Sequence, residues 1–101
     1  MKIVAGEINP EPDPALLRAL RNAHSWSTSL RKGMPLKALA NDVGYSESYL
    51  ARVIPLASLS PRIQQAIVEG TQPVTLTLET LVRARLPLDW TDQERLFGHA
   101  V

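Results

Sequence analysis

The sequence predicts an all-α fold, a compact bundle of about six short helices with a helix-turn-helix in its middle. Three observations lead there. Apolar residues recur at helical spacing along most of the chain rather than alternating. The apolar content is mainly aliphatic, 45% hydrophobic against 5% aromatic residues, which suits packed helices better than a β-sandwich. Prolines and glycines also punctuate the chain where short helices would start and stop, with Pro14, Pro35 and Pro61 at starts and Gly33, Gly70 and Gly98 at ends. A chain of 101 residues suffices for one domain around one modest core.

Residues 1–13 read as an extended arm. Lys2 to Ala5 is a short β-prone piece with no strand to pair with, and Pro10, Pro12 and Pro14 bias their predecessors away from helix. The domain proper is then residues 14–101. Its first helix starts with Asp13 as N-cap and Pro14 at N1. Leu16, Leu20, Ala23, Ser27 and Leu30 mark one face, with Leu17 and Trp26 beside it. It ends near Arg31-Lys32, with Gly33 in the left-handed conformation.

The stretch LKALANDVGYSESYLARVI, residues 36–54, organises the rest. Pro35 opens a helix that runs to about Asp42, with Leu36, Leu39 and Ala40 on one face. Ala40 is small where a second helix must cross closely, and Gly44 can take the positive φ of a sharp turn. Ser46 caps a second helix from Glu47 to about Ile54, with Leu50, Val53 and Ile54 apolar and Pro55 ending it. This is the pattern of a helix-turn-helix, whose second helix enters the DNA major groove. Ser60-Pro61 opens a further helix stopped by Gly70. Thr77 caps another to about Arg85, with Leu76 and Leu81 as a hydrophobic staple. Thr91 to Glu94 reads as a capping box for a last helix closed at Gly98.

The net charge of +1 conceals a division. Residues 1–13 carry −2, residues 14–62 carry +5 and residues 63–101 carry −2. The positive charge therefore falls on the segment with the helix-turn-helix, as phosphate attraction requires. No cysteine is present, which excludes disulfides and thiolate metal sites. No apolar run approaches the roughly 20 residues of a membrane span, and the N-terminal residues lack a signal peptide's apolar core. A cytoplasmic chain with no membrane partner is expected.

The run from Leu36 to Ala84, LKALANDVGYSESYLARVIPLASL followed by SPRIQQAIVEGTQPVTLTLETLVRA, resembles the helix-turn-helix domain of the ParB/KorB-like DNA-binding proteins. In that family the recognition helix ends in an apolar stretch. A proline-started helix, a glycine loop and another helix follow, and that order is kept here. The longer run from Asp13 to Gly98 looks like a module at the C-terminus of some resolvase-type recombinases of prophage origin. The pieces that carry this are DPALLRALRNAHSW, YSESYLARVIPLASLSP, AIVEGTQP and LPLDWTDQERLFG. What the resemblance implies is DNA binding. Partition and CTP hydrolysis need a nucleotide-binding domain, and strand exchange needs a catalytic serine domain. Neither is found in these residues.

The first turns of the second helix offer Ser46, Glu47, Ser48, Tyr49 and Arg52 to base edges. An arginine can bond guanine O6 and N7 with two N–H groups, and a glutamate can accept from cytosine N4. Arg52 stands equally well for a phosphate contact, Ser46 serves as a cap, and Tyr49 either reaches phosphate or packs on a helix. Arg31, Lys32, Lys37 and Arg62 are the phosphate candidates. Double-stranded DNA is the expected partner, with a homodimer and a recombinase or partition protein as further ones. The alternative is a protein-interaction module docking through the acidic C-terminal third at Trp90, Leu96 and Phe97.

No constellation supports an enzyme, and no cofactor or metal is expected. His24 and His99 stand 75 positions apart, so no metal-ligand spacing exists. The serines around His24 lie sequentially on one helix and cannot face one another as a triad. Trp26 and Trp90 are expected in the core or a staple.

Overall fold

A computed structural model describes residues 12–73, 76–84 and 86–96. Among them the chain forms six α-helices and no strand: α1 Pro14–Arg31, α2 Leu36–Val43, α3 Glu47–Val53, α4 Pro61–Glu69, α5 Leu78–Arg83 and α6 Trp90–Leu96. A 3-10 segment, Ile54–Ser58, follows α3 directly. The strand and proline readings at Lys2–Ala5 and Asn9–Glu11, and the stop at Gly98, lie outside the described residues, as do Arg85, Phe97 and His99.

Helix α1 is the hub. Asp13 starts it, its carboxylate accepting the N–H groups of Ala15 at 3.0 Å and Leu16 at 3.2 Å. Leu16, Ala19, Leu20, Ala23 and Trp26 form its buried stripe. Trp26 thus lies within the stripe rather than beside it. Every one of α2, α3, α4, α5 and the 3-10 segment packs against α1. The helix closes on a Schellman turn: Gly33 takes φ 105°, and the N–H groups of Gly33 and Met34 donate to the Leu30 and Ser29 carbonyls.

Helix α2 begins at Leu36 with Pro35 as the preceding residue, and no side chain caps it. Its end is built by Gly44 at φ 82°, where the N–H groups of Gly44 and Tyr45 both donate to the Ala40 carbonyl. Ala40 is buried and Gly44 to Ser46 span the gap to α3. A Cβ added at Gly44 would meet no atom within 4 Å, so its cost is backbone strain alone. Gly44→Ala is accordingly expected to lower stability by about 1–2 kcal/mol. Gly44→Asn should lose less, because asparagine tolerates the left-handed region. Urea titrations of the two variants check the order.

Helix α3 stops at Val53, one residue before the sequence boundary. Pro55 has no N–H to offer the Ala51 carbonyl, so the backbone tightens into 3-10 geometry there. Two carbonyls of this short segment, those of Ala57 and Ser58, accept from side chains elsewhere, as does the neighbouring carbonyl of Leu59. Gln64 donates to the Leu59 carbonyl at 2.7 Å and the Ala57 carbonyl at 3.3 Å. Gln93 is buried, donates to the Pro87 carbonyl at 2.8 Å, and accepts the Ser60 N–H at 2.7 Å. The same Gln64 amide fixes the tautomer of His24. Its NH2 group faces two carbonyls, so its oxygen faces the His24 Nε2 at 2.7 Å, and that nitrogen carries the proton.

Ser60 caps α4 through the Ile63 N–H at 3.1 Å, and Gly70 at φ 76° ends it. Thr77 caps α5 in a reciprocal box with Thr80, and Leu76 and Leu81 are both buried as the staple requires. Helix α5 ends at Arg83, with Ala84 already extended. Two expectations need correction at α6. Its cap is Asp89 rather than Thr91, since the Asp89 carboxylate accepts the N–H groups of Thr91 at 2.7 Å and Asp92 at 3.4 Å. Trp90 is 53% exposed rather than in the core. Placed at the first position of α6, it turns across the surface and donates its indole N–H to the Ser58 carbonyl at 3.2 Å.

Candidate nucleic-acid interface

Helix α3 has a closed side and an open one. Leu50 and Val53 are fully buried and anchor it. Glu47, Ser48, Ala51 and Arg52 are exposed. Ser48 and Arg52 are four apart and so lie one above the other on the outer surface.

Each residue put forward from the sequence has a definite place. Ser46 is exposed and is the cap of α3, its hydroxyl accepting the Tyr49 N–H at 3.0 Å. That hydroxyl keeps its own proton to donate. Glu47 stands in the first turn, favourable to the helix dipole. Tyr49 is half-buried and packs on α1, its ring centroid 6.5 Å from Trp26 in an edge-on arrangement. Its other neighbour is Tyr45, stacked at 4.8 Å and 30°. Tyr45 also lies 5.7 Å from Trp26. Three aromatic rings from α1, the turn and α3 thus clamp the start of α3.

Arg52 is exposed, but its guanidinium is not loose. Its Nη1 donates to the Val82 carbonyl at 3.3 Å, one of the last carbonyls of α5. An arginine has five N–H donors in a planar fork, so the edge formed by Nε and Nη2 stays available for a two-point contact.

Arg31 and Lys32 end α1 and Lys37 begins α2, all three exposed at the short α1–α2 connection. Arg31 folds back to the hydroxyls of Ser27 at 3.1 Å and Thr28 at 3.3 Å. Arg62 stands apart from this group. It is on α4, 3.8 Å from the Glu94 carboxylate, and borders a small groove with Gln65, Glu69 and Thr71 rather than any residue of α3.

Sequence reasoning missed four residues, Tyr45, Gln64, Gln93 and Arg83. Tyr45 and Tyr49 are four apart on either side of a helix start, and that spacing, with a scarce Trp on the preceding helix, was the available signal. Gln93 reads in the sequence only as part of a capping box, and Gln64 has no role assigned there. Arg83 enters there only through the charge of residues 63–101, and the tertiary packing of α5 brings it beside Arg52 along one trough.

No family model, curated protein or solved structure matches the chain. Among the described residues no helix is long and apolar enough to cross a membrane.

Proposed function

We propose that α2, the Gly44–Ser46 turn and α3 form a helix-turn-helix of the ParB/KorB-like kind, and that the chain is a sequence-specific double-stranded DNA-binding module. Its role is that of a prophage- or plasmid-associated accessory or regulatory protein, not an enzyme. The observation that carries this is the split of α3, with Leu50 and Val53 in the core and Glu47, Ser48 and Arg52 open to solvent. A helix placed in the major groove needs both, an anchor on one side and polar reach on the other. Lys37 and the Arg31-Lys32 pair flank it as backbone contacts, which position a protein without reading sequence. Arg62 is the weakest phosphate candidate because Glu94 already faces it. A single module makes few contacts, so specific binding is expected from two copies on paired half-sites.

The test is selection of bound duplexes from a random pool, then titration of the selected site. Arg52→Ala is expected to lose roughly 1–3 kcal/mol of discrimination at one base pair, whereas Lys37→Ala should weaken all sequences alike and reduce the salt slope by about 1. Recovery of no enriched sequence, with both variants behaving as the parent, would sink the proposal.

One observation favours the second reading, a module that docks on a recombinase or partition protein. Leu88 is 97% exposed, and Trp90 and Leu96 are each more than half exposed on α6. Enrichment of a single sequence by the isolated chain separates the two readings, since docking on a protein predicts none.

A further inference from the structure

We infer that the surface meeting the duplex continues from α3 onto the C-terminal end of α5, with Arg83 as a phosphate ligand. This rests on the DNA reading above. Two observations carry it. The Arg52–Val82 hydrogen bond at 3.3 Å holds the last turn of α5 against the open side of α3. Arg52 and Arg83 then border one trough of about 610 Å³ whose apolar lining includes Ala51, Pro55, Val82 and Leu86. With Arg52 at the groove, a second guanidinium on the same trough matches the backbone phosphate beside the contacted base better than it matches a single small anion, and the apolar lining suits the sugar edge between them.

Arg83 is free to make this contact. Its side chain is 75% exposed and, among the described residues, is held by Glu79 at 2.7 Å, a carboxylate itself 68% exposed. Such exposed pairs contribute little. A duplex phosphate competes well for the same guanidinium, because neutralising it releases condensed counterions. Glu79 therefore acts as a brake, since its carboxylate occupies the group that the phosphate needs. Arg52, with one N–H spent on Val82, is held in place for the groove while Arg83 follows the strand outside it.

Fluorescence anisotropy of a labelled duplex at several KCl concentrations tests this with Arg83→Gln, Glu79→Gln and a control, Arg18→Gln, which is exposed on α1. All three positions are on the surface, and matched thermal melts establish that the variants fold. Arg83→Gln is expected to weaken binding several-fold and to lower the slope of log K against log salt by about 0.9. Glu79→Gln should tighten binding, and Arg18→Gln should change neither quantity. An Arg83→Gln variant with parental affinity and slope, or one indistinguishable from Arg18→Gln, overturns the inference while the parent still binds. A parent chain with no salt-dependent binding overturns the DNA reading and this extension together.

Discussion

Replacing Trp26 with alanine is expected to lower unfolding free energy by about 3–5 kcal/mol. The indole is 5% exposed and sits in the buried stripe of α1, the helix on which α2 to α5 pack, so its removal opens a large cavity in the core. Tyr45 and Tyr49 lose their common partner as well, and aromatic pairs contribute roughly 0.5–1.5 kcal/mol beyond area burial. A domain of this size has on the order of 5–15 kcal/mol in total, so Trp26→Ala should leave a chain only marginally folded. Trp26→Phe keeps an aromatic face toward both tyrosines and should retain most of the stability. Urea titrations followed by far-UV circular dichroism measure the loss. Near-UV dichroism follows the tyrosine stack separately. A loss below about 1.5 kcal/mol, the level of a tolerated volume-conserving swap, would mean that the aromatic cluster is peripheral to the fold. The same substitution tests how α3 is held. If the cluster sets the entry of α3, DNA affinity measured at a temperature where the variant is still folded should fall more than in an Ala19→Gly variant, which removes no member of the aromatic cluster.

Local punctuation was legible in the sequence, and tertiary compensation was not. Asp13-Pro14, Ser60-Pro61 and Thr77 announced three helix starts because a cap acts on N–H groups two or three residues away. Gly44 and Gly70 announced stops for an equally local reason, the cost of a positive φ for any residue with a Cβ. The α6 start was misplaced because Asp89 and Thr91 both offer an oxygen, and it is the Asp89 carboxylate that takes the first N–H groups of the helix. Trp90 was expected in the core or a staple because aromatic residues are scarce here and burying one contributes much. A tryptophan at the first position of a helix can instead lie over the surface once its N–H finds a carbonyl, here that of Ser58. On the open side of α3, periodicity correctly separated Ser48 and Arg52 from Leu50 and Val53. It could not show that Arg52 would meet Val82, thirty residues away in sequence. That contact depends on how α5 crosses the bundle.

Gln93 gives the sharpest case of a compensation hidden from sequence, and Gln93→Leu is expected to cost about 2–4 kcal/mol although leucine is apolar and of similar size. The side chain is 2% exposed, and its amide is used at both ends: the oxygen accepts the Ser60 N–H at 2.7 Å and the nitrogen donates to the Pro87 carbonyl at 2.8 Å. Leucine would leave both backbone groups desolvated and unpaired, and an unmade buried hydrogen bond costs more than a made one contributes. Gln93→Glu separates the two ends. Its carboxylate still accepts from Ser60, but it faces the Pro87 carbonyl with no proton to give and is a buried charge. Burial and that carbonyl raise its folded-state pKa above the ordinary glutamate value of about 4.3. The folded state therefore binds the proton more tightly than the unfolded chain does. The penalty is full above the raised pKa and shrinks as pH falls toward the unfolded value, because a protonated carboxyl can donate to Pro87. The Glu variant should thus gain stability relative to the parent on acidification through that window, while the Leu variant should show a constant deficit. Melting curves of the three proteins across the acidic range decide it. A Glu variant whose deficit does not depend on pH would show that the amide nitrogen contributes nothing to fastening the Ser58–Ser60 connection to α6.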